Sequence, residues 1–514
     1  MNMLDRFIAT LSPQMAVKRL EAQDILSRKY AAAKQSPQTG FLPQTTSTQN
    51  REISESWRPM VSRTSQLVRD YPPFSAGINC YEAFLVGGGM RFQSAALGAD
   101  GTPDEKIIRR IEDAWNAHAE SIHFDQGRRN TFYDMQGLAA RQQLETGDFI
   151  FRKAFHQGRP RSGQKSNFCL GALDPVQLCE AAAKDSDHRV IAGVEIKQAT
   201  AEATRYHFAL NSDEYFGFQS SEIATYDAQQ IIHGYHMLRP NQVRGVTPFA
   251  SSILLAYHLQ DYVHAEITAQ KANSKFLAFV TAGHGARGNG AGSFNNASYN
   301  EVFKKYGDAL EYASLQFLEP NESVEFNNTT RSSQGLQDFT SLILRMTAAA
   351  TGLPVEILSG DYRDLNYTTI RAARNDFKQA LKPKWRRFNT QFNRPAFDEW
   401  LRLEWASGRI NLPGYEKDPA RYHRGLFVPE GIEQVDPVKE TGALLDAVHG
   451  GLMSMQEAIM ARGKDPERLL EDAKIWHQKL KENGLEHLWF NKGGGMFPLL
   501  DMLTDEEMDS AEVE

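Results

Sequence analysis

The sequence predicts an α+β protein, predominantly helical, and three observations carry that prediction. Long windows near both ends place apolar residues three and four apart, the spacing of one helix face. The middle of the chain holds short runs in which apolar and polar residues alternate, as half-buried strands require. These segments do not follow one another as regular βαβ units, so a doubly wound parallel sheet is not expected.

At 514 residues the chain exceeds one ordinary domain and has room for roughly two to four folding units. The N-terminus carries an early acid and lacks a long apolar core, so it does not read as a secretory signal. Residues 31–50 are rich in Gln, Thr, Ser and Pro; residues 1–50 are therefore expected to form an arm and linker. A helical pattern runs from Ile53 to Phe84 with an interruption at Pro72-Pro73, and Gly87-Gly88-Gly89 stops it. The triple glycine lacks the Lys of a phosphate-binding loop and reads as a turn. Residues 104–120 and 132–145 read as helices, the second ending at Gly147. Strands are expected in GDFIFRKAF, VIAGVEIKQ and TRYHFAL, with another over Tyr226–His233.

From Pro248 to about Lys275 the pattern is helical again, with Leu255, Leu259, Tyr262, Val263 and Ile267 on one side. Five glycines make Gly283–Gly292 a loop. Leu336 to Thr351 is a helix with a stripe of Leu336, Phe339, Ile343, Met346 and Ala350. Gly352 follows at the position where a left-handed residue ends a helix, and Pro354 blocks continuation. A second helix is expected from Thr368 to Lys382, broken or kinked at Pro383; its stripe is Ile370, Ala373, Phe377 and Leu381. Residues 51–415 are taken as a core, 416–500 as a helical C-terminal region and 501–514 as an acidic tail.

Charge and chemistry exclude more than they assign. Lys and Arg number 57 against 64 Asp and Glu, and the seven acids after residue 500 account for the whole net charge of -7. The balanced remainder lacks the clustered cations of a tight phosphate binder. No apolar run approaches 18 residues, so no membrane-spanning helix is expected. Three cysteines, Cys80, Cys169 and Cys179, fit a reducing compartment and neither a disulfide scaffold nor a cysteine zinc site. Motifs for a serine nucleophile elbow, a zinc protease, a nucleotide phosphate loop and a dinucleotide fold are missing, so no enzyme, cofactor or metal is expected. His233 and His236 could share a metal on a helical turn, but no other ligand stands at suitable spacing. Asp361 and Asp364 could hold Mg²⁺ in a DNA-processing site; with Asn366 they more simply shape a turn into the next helix. Arg371, Arg374, Lys378 and Lys382 share one helical face, and Lys384, Arg386, Arg387 and Arg394 extend the run against a single acid, Asp376. Such a stripe suits packing between subunits, a solvated face, or contact with DNA.

Two stretches carry a resemblance. In 232–253, a His-Gly-Tyr strand end leads to Arg239-Pro240, Gln242 and Arg244-Gly245 before a helix. In 352–374, Gly352-Leu353-Pro354, Glu356, Leu358-Ser359-Gly360-Asp361 and Asn366-Tyr367 lead to Arg371. Weaker supports are LVRDYPPFSAGIN at 67–79, Val435-Asp436-Pro437 with Lys439-Glu440, and Gly451-Leu452 with Ser454. In order and identity these resemble the lambda-type portal proteins of tailed bacteriophages, with Thr368-Thr369 where that family commonly has Ser-Ser. The resemblance implies a ring, usually dodecameric, with wing, stem, clip and crown around a central channel at one capsid vertex of the virion. It implies synthesis in the host cytoplasm and docking of the terminase large subunit, major capsid and scaffolding proteins and head–tail adaptor proteins. Double-stranded DNA would pass through during packaging and ejection, the C-terminal helices would form the crown, and Gly283–Gly292 and Asn321–Gln334 would be candidate channel or interface loops. Another virion role, such as head closure or a minor capsid component, is the alternative within the same class.

Overall fold

A computed structural model describes residues 47–157, 166–181, 183–209, 223–275, 278–282, 322–326, 333–363, 366–429, 437–464 and 466–484. The arm before residue 47, the glycine loop at 283–292, Asp364 and the acidic tail lie outside them. Among the described residues the protein is α+β and mostly helical, as the periodicities require.

Helix α1, Gln49–Asp70, and helix α2, Pro72–Leu85, replace the single interrupted helix expected there. Pro72 does not merely break the pattern: it opens α2, where the missing N–H costs no hydrogen bond. A short strand β1, Arg91–Ser94, leads to α3, Glu105–Ala119, capped by Asp104 accepting from the amides of Lys106 and Ile107. Helix α4, Phe132–Thr146, starts with a Thr131/Asp134 capping box and stops at Gly147, which is left-handed at φ 98°.

Two antiparallel sheets follow. Strands β2, Asp148–Phe155, β3, Phe168–Leu173, and β8, Ile231–Tyr235, form one in the order β3-β2-β8. Strands β4, His188–Ile191, β5, Val194–Lys197, β6, Ala203–Ala209, and β7, Ile223–Asp227, form a four-stranded meander. VIAGVEIKQ is thus a hairpin and not one strand. Ala192 and Gly193 both have positive φ, the geometry of the tight turn that suits strand twist. The strand expected over Tyr226–His233 is likewise two. A 3-10 turn at Ala228–Gln230 carries the chain from one sheet to the other, so Tyr226 pairs with Tyr206 and Ile232 with Phe151.

Helix α5, Ile253–Lys275, and helix α6, Ser333–Thr351, pack together through Leu259, Ile343 and Leu344. The stripe expected on α6 is rotated: Ile343, Leu344, Thr347 and Ala348 are buried, whereas Met346 and Ala350 face outward. On α5, Tyr262 and Ile267 are also exposed. Strands β9, Ala278–Ala282, and β10, Glu322–Phe326, pair antiparallel, so Asn321–Gln334 is not simply a loop.

A five-residue helix α7, Val355–Ser359, precedes α8, Tyr367–Phe388. Pro383 neither ends α8 nor sits in its buried face. The helix runs on because Leu381 and Phe388 are buried on either side of Pro383 and Trp385 Nε1 donates to the Leu85 carbonyl at 3.0 Å. A π-helical turn, Asn389–Asn393, connects it to α9, Arg394–Ala406. Strand β11, Gly425–Val428, then pairs with β1. Packing therefore does not end at residue 415, because Phe427 lies in the main core beside Phe92, Trp115 and Phe397. Helices α10, Pro437–His449, α11, Met455–Ala461, and α12, Pro466–Glu482, complete the described chain.

Aromatic rings dominate the main core. Trp115 meets Trp400 at 5.0 Å, Phe397 at 5.2 Å and Phe132 at 5.0 Å between centroids, drawing α3, α4 and α9 together. Buried in the same place is His118, whose Nε2 donates to the Phe168 carbonyl at 3.0 Å while Nδ1 has no partner among the described residues. Burial lowers its pKa to about 3, so the folded protein holds the neutral ring. The unfolded chain takes up that proton near pH 6.5. The stabilising contribution is therefore complete above about pH 6.5 and falls by up to ~1.4 kcal/mol per unit on acidification toward pH 3. His118→Gln is expected to flatten the decline in urea midpoint between about pH 6 and 4; an unchanged slope would sink this assignment.

Candidate functional site

Within the stretch Arg239–Gly245, Gln242 to Gly245 form a buried junction. Tyr235, at the end of β8, donates its hydroxyl to the Gln242 carbonyl at 2.6 Å. The Gln242 side chain accepts from the amides of Leu238 (2.8 Å) and Arg239 (3.3 Å) and donates to the Arg244 carbonyl (2.7 Å). It closes the loop on itself, with Asn241 left-handed at φ 61°, a conformation its short polar side chain tolerates. From α1, Asn50 donates to the Asn241 carbonyl and accepts from the Val243 amide, so residue 50 belongs to the folded body and not to the arm. Arg239 and Pro240 remain on the surface, Arg239 reaching Gln49 at 3.4 Å.

Arg244 itself is 2% exposed. Its Nε meets Asp148 at 2.5 Å and its Nη atoms donate to the carbonyls of Ala192 (2.9 Å) and Pro175 (3.3 Å). Its guanidinium carbon lies 4.0 Å from the Trp57 ring centroid. Asp148 accepts further from His233 Nε2 at 3.3 Å and the Gly245 amide at 3.4 Å, and His233 Nδ1 meets the Tyr206 hydroxyl at 3.1 Å. One cation thereby ties α1, the first residue of β2, the β4–β5 turn and the segment after β8. Burial alone would raise the Asp148 pKa; Arg244 and His233 outweigh it and hold it at about 2. Burial also lowers the His233 pKa, so the ring is neutral. His233 lies on a strand, not on a helical turn, and both ring nitrogens are engaged within the protein; His236 is on the surface. The pair cannot share a metal as a helical turn would have allowed. Among the described residues no group of three or more His, Cys, Asp or Glu could hold a metal ion.

The second stretch is a helix–knuckle–helix connection. Gly352, left-handed at φ 73°, ends α6, and Pro354 caps α7, whose first turn carries Glu356. Gly360, also left-handed, ends α7. Leu353 and Leu358 are buried in the core, with Leu358 Cδ2 only 3.1 Å from where a Cβ on Gly77 would stand. Gly77 lies in the LVRDYPPFSAGIN segment, so two motifs distant in sequence are one contact. Asp361 accepts from the Arg363 amide and from its guanidinium at 2.9 and 2.7 Å, and that bonding holds its pKa at about 2. Both its oxygens serve a turn, as the simpler expectation had it. Asn366 caps α8, accepting from the Thr369 amide and hydroxyl at 2.8 Å each. Tyr367 is the first residue of that helix.

The basic run divides in two. Arg371, Arg374, Lys378 and Lys382 share one side of α8; Arg374 and Lys382 are exposed, and among the described residues none of the four has an ion pair. Lys384 turns the other way, 4.5 Å from the Tyr81 ring centroid, with its pKa lowered to about 8 by burial and by Arg387. Arg394 is engaged with Asp398 at 3.2 Å and with the Gly425 carbonyl. Sequence reasoning missed Asp148 and Trp57, which meet Arg244 from far earlier in the chain, and Tyr206, which meets His233. An acid opening a strand directly after a helix-ending glycine was the one local sign of Asp148.

Residues 36–383 match the family model described as phage portal protein, lambda family. Among curated relatives, the portal protein of Escherichia phage N15 is 19% identical over 435 residues, covering 79% of this chain and 81% of that protein. Portal protein B of Escherichia phage lambda is 19% identical over 434 residues, covering 79% and 80%. The probable portal protein of Halomonas phage phiHAP-1 is 22% identical over 390 residues, covering 74% and 72%. A chain in the solved neck of an empty GTA particle aligns over 80% of this chain and 95% of its own length, at 14% identity and a TM-score of 0.47.

Proposed function

We propose, from the premise that this chain belongs to the lambda family of phage portal proteins, that it does a portal's work in the head–tail connector as one subunit of a dodecameric ring. The ring stands at a single capsid vertex of the virion and gives DNA its way in and out. The observation that carries this is the match over residues 36–383, within which one signature stretch joins helices to sheets and the other joins helices to one another. Their described residues hold a scaffold in shape, which suits the structural subunit, and not the enzyme, that the family implies.

The finer assignments rest on the same premise. The terminase large subunit docks during packaging and supplies the hydrolysis of ATP, for which this sequence has no phosphate loop. Head–tail adaptor proteins replace it afterwards, and major capsid and scaffolding proteins surround the ring. Wing, stem and clip lie within the core, and α10–α12 contribute to the crown. Arg371, Arg374, Lys378 and Lys382, which have no ion pair among the described residues, meet a neighbouring subunit or the passing DNA. The balanced charge of residues 1–500 suits a channel, because each tight phosphate contact would be a barrier to sliding. Electron microscopy of the purified protein is expected to find rings with a central hole of duplex width. A protein that stays monomeric at every concentration, or that cleaves DNA with Mg²⁺, would refute the proposal.

A further inference from the structure

Lys384 is turned inward from the exposed side of α8, into a recess where other cations gather. Its Nζ lies 4.5 Å from the Tyr81 ring centroid and 3.8 Å from where a Cβ on Gly352 would stand. Arg387, one turn further along α8, falls on the same side, and both side chains are half-buried. One turn beyond it, Gln391 Nε2 donates to the Tyr235 carbonyl at 3.0 Å. That bond brings the end of β8 against the helix, and with it His236, whose ring feels both Arg387 and Lys384. Helices α2 and α8, the stop of α6 and the end of β8 thus meet around one group of charges.

No acid balances that group. Lys384, Arg387 and His236 have neither an ion pair nor a hydrogen bond among the described residues, and residues 228–260 and 377–397 contain no Asp or Glu. Burial and Arg387 lower the Lys384 pKa, and burial, Arg387 and Lys384 lower that of His236. The carbonyl end of α6 beside Lys384 offsets roughly half a charge, which leaves about one and a half from Lys384 and Arg387 alone.

Tyr81 is a second, independent sign. It is 7% exposed, yet its hydroxyl has no hydrogen-bond partner among the described residues, although a buried phenol usually finds one. Burial keeps that hydroxyl protonated and so able to donate, and Arg387 stands close enough to act on it.

We infer that Tyr81, Lys384, Arg387 and His236 form a binding site for one phosphate-type oxyanion. A phenol, an ammonium, a guanidinium fork and an imidazole together offer more donors than the two oxygens of a carboxylate accept. They also carry more charge than its single negative one balances, and a phosphate dianion supplies both. The recess suits a single group, whereas Arg374 and Lys382 stand exposed on the other side of α8. That group is free phosphate or one phosphate of a nucleic acid. The inference does not depend on the ring.

The full-length chain is to be titrated with inorganic phosphate by calorimetry, against sodium chloride of equal ionic strength. Saturable binding with a Kd of about 1 mM or tighter is expected. Lys384→Met and Arg387→Met should each weaken it at least about tenfold, and Tyr81→Phe about threefold, while Lys106→Met, at an exposed position on α3, should leave it unchanged. Thermal melts in chloride check folding; Tyr81→Phe keeps the ring, so it carries the test if Lys384→Met does not fold. A labelled duplex is then competed with phosphate. Displacement, together with weaker duplex binding by Lys384→Met, assigns the site to a nucleic-acid phosphate; a duplex indifferent to both assigns it to free phosphate. Phosphate that binds no better than chloride overturns the inference. So do folded Lys384, Arg387 and Tyr81 variants that bind it as wild type does, or an equal loss in Lys106→Met.

Discussion

Arg244→Met is expected to cost about 3–5 kcal/mol of stability, because it strands Asp148 as a carboxylate buried with no cation beside it. Asp148 is 0% exposed, and the remaining donors, His233, the Thr146 hydroxyl and the Gly245 amide, do not supply a full charge. The Trp57 ring also loses the guanidinium packed on it, and the carbonyls of Ala192 and Pro175 lose their donors. Breaking such a pair is costlier than replacing it, so adding Asp148→Leu to Arg244→Met should recover part of the loss. Urea unfolding of the monomer measures both.

The dependence on pH gives that result a second signature. In wild type the Asp148 pKa, held at about 2, lies below its unfolded value near 3.9. The stability it contributes is complete above about pH 4 and is lost as pH falls toward 2. Without Arg244, burial is opposed only by the hydrogen bonds that remain, chiefly from His233, and the Asp148 pKa rises. A raised value contributes stability below the unfolded pKa that is lost as pH rises through the folded one. The deficit of Arg244→Met relative to wild type should therefore shrink on acidification. A deficit below about 1 kcal/mol at neutral pH, or one that grows in acid, would show that the pair does not hold this junction.

Legibility in the sequence followed the range of the forces. Helix ends set by local chemistry, such as Gly147, Gly352 and Asn366, stand where spacing and capping rules put them. The α6 stripe was misplaced because periodicity reports that residues are apolar, not which partner covers them. Phe339, Leu342 and Met346 satisfy the same rule as Ile343 and Leu344. The strand break at Ala228–Gln230 was hidden because strand-forming residues, Tyr226 and Ile231-Ile232, stand on both sides of it while the chain changes sheet. Arg244 was visible as part of a motif, but its meaning depended on Asp148, nearly a hundred residues earlier. No local pattern encodes such a pairing.

Gly245→Ala is expected to be as damaging as losing the ion pair, for a different reason. A Cβ on Gly245 would stand 1.9 Å from the Gly147 carbonyl oxygen and 2.4 Å from its carbon. Both are backbone atoms of the residue that ends α4, so no side-chain rotation relieves the clash. Gly147 is constrained from the other side, since its own Cβ would lie 2.6 Å from Val246 backbone atoms and its φ is 98°. The two glycines let the end of α4 and the segment after β8 touch, and their neighbours Asp148 and Arg244 meet because they do. Forcing the backbones apart lengthens that ion pair as well, so the cost should exceed the ~1–3 kcal/mol usual for overpacking. Gly352→Ala is the control: its φ of 73° imposes about 1–2 kcal/mol of strain, but its Cβ would meet nothing nearer than Lys384 Nζ at 3.8 Å. Equal losses for Gly245→Ala and Gly352→Ala would mean that close approach of the two backbones is not what the Arg-Gly pair in this stretch provides.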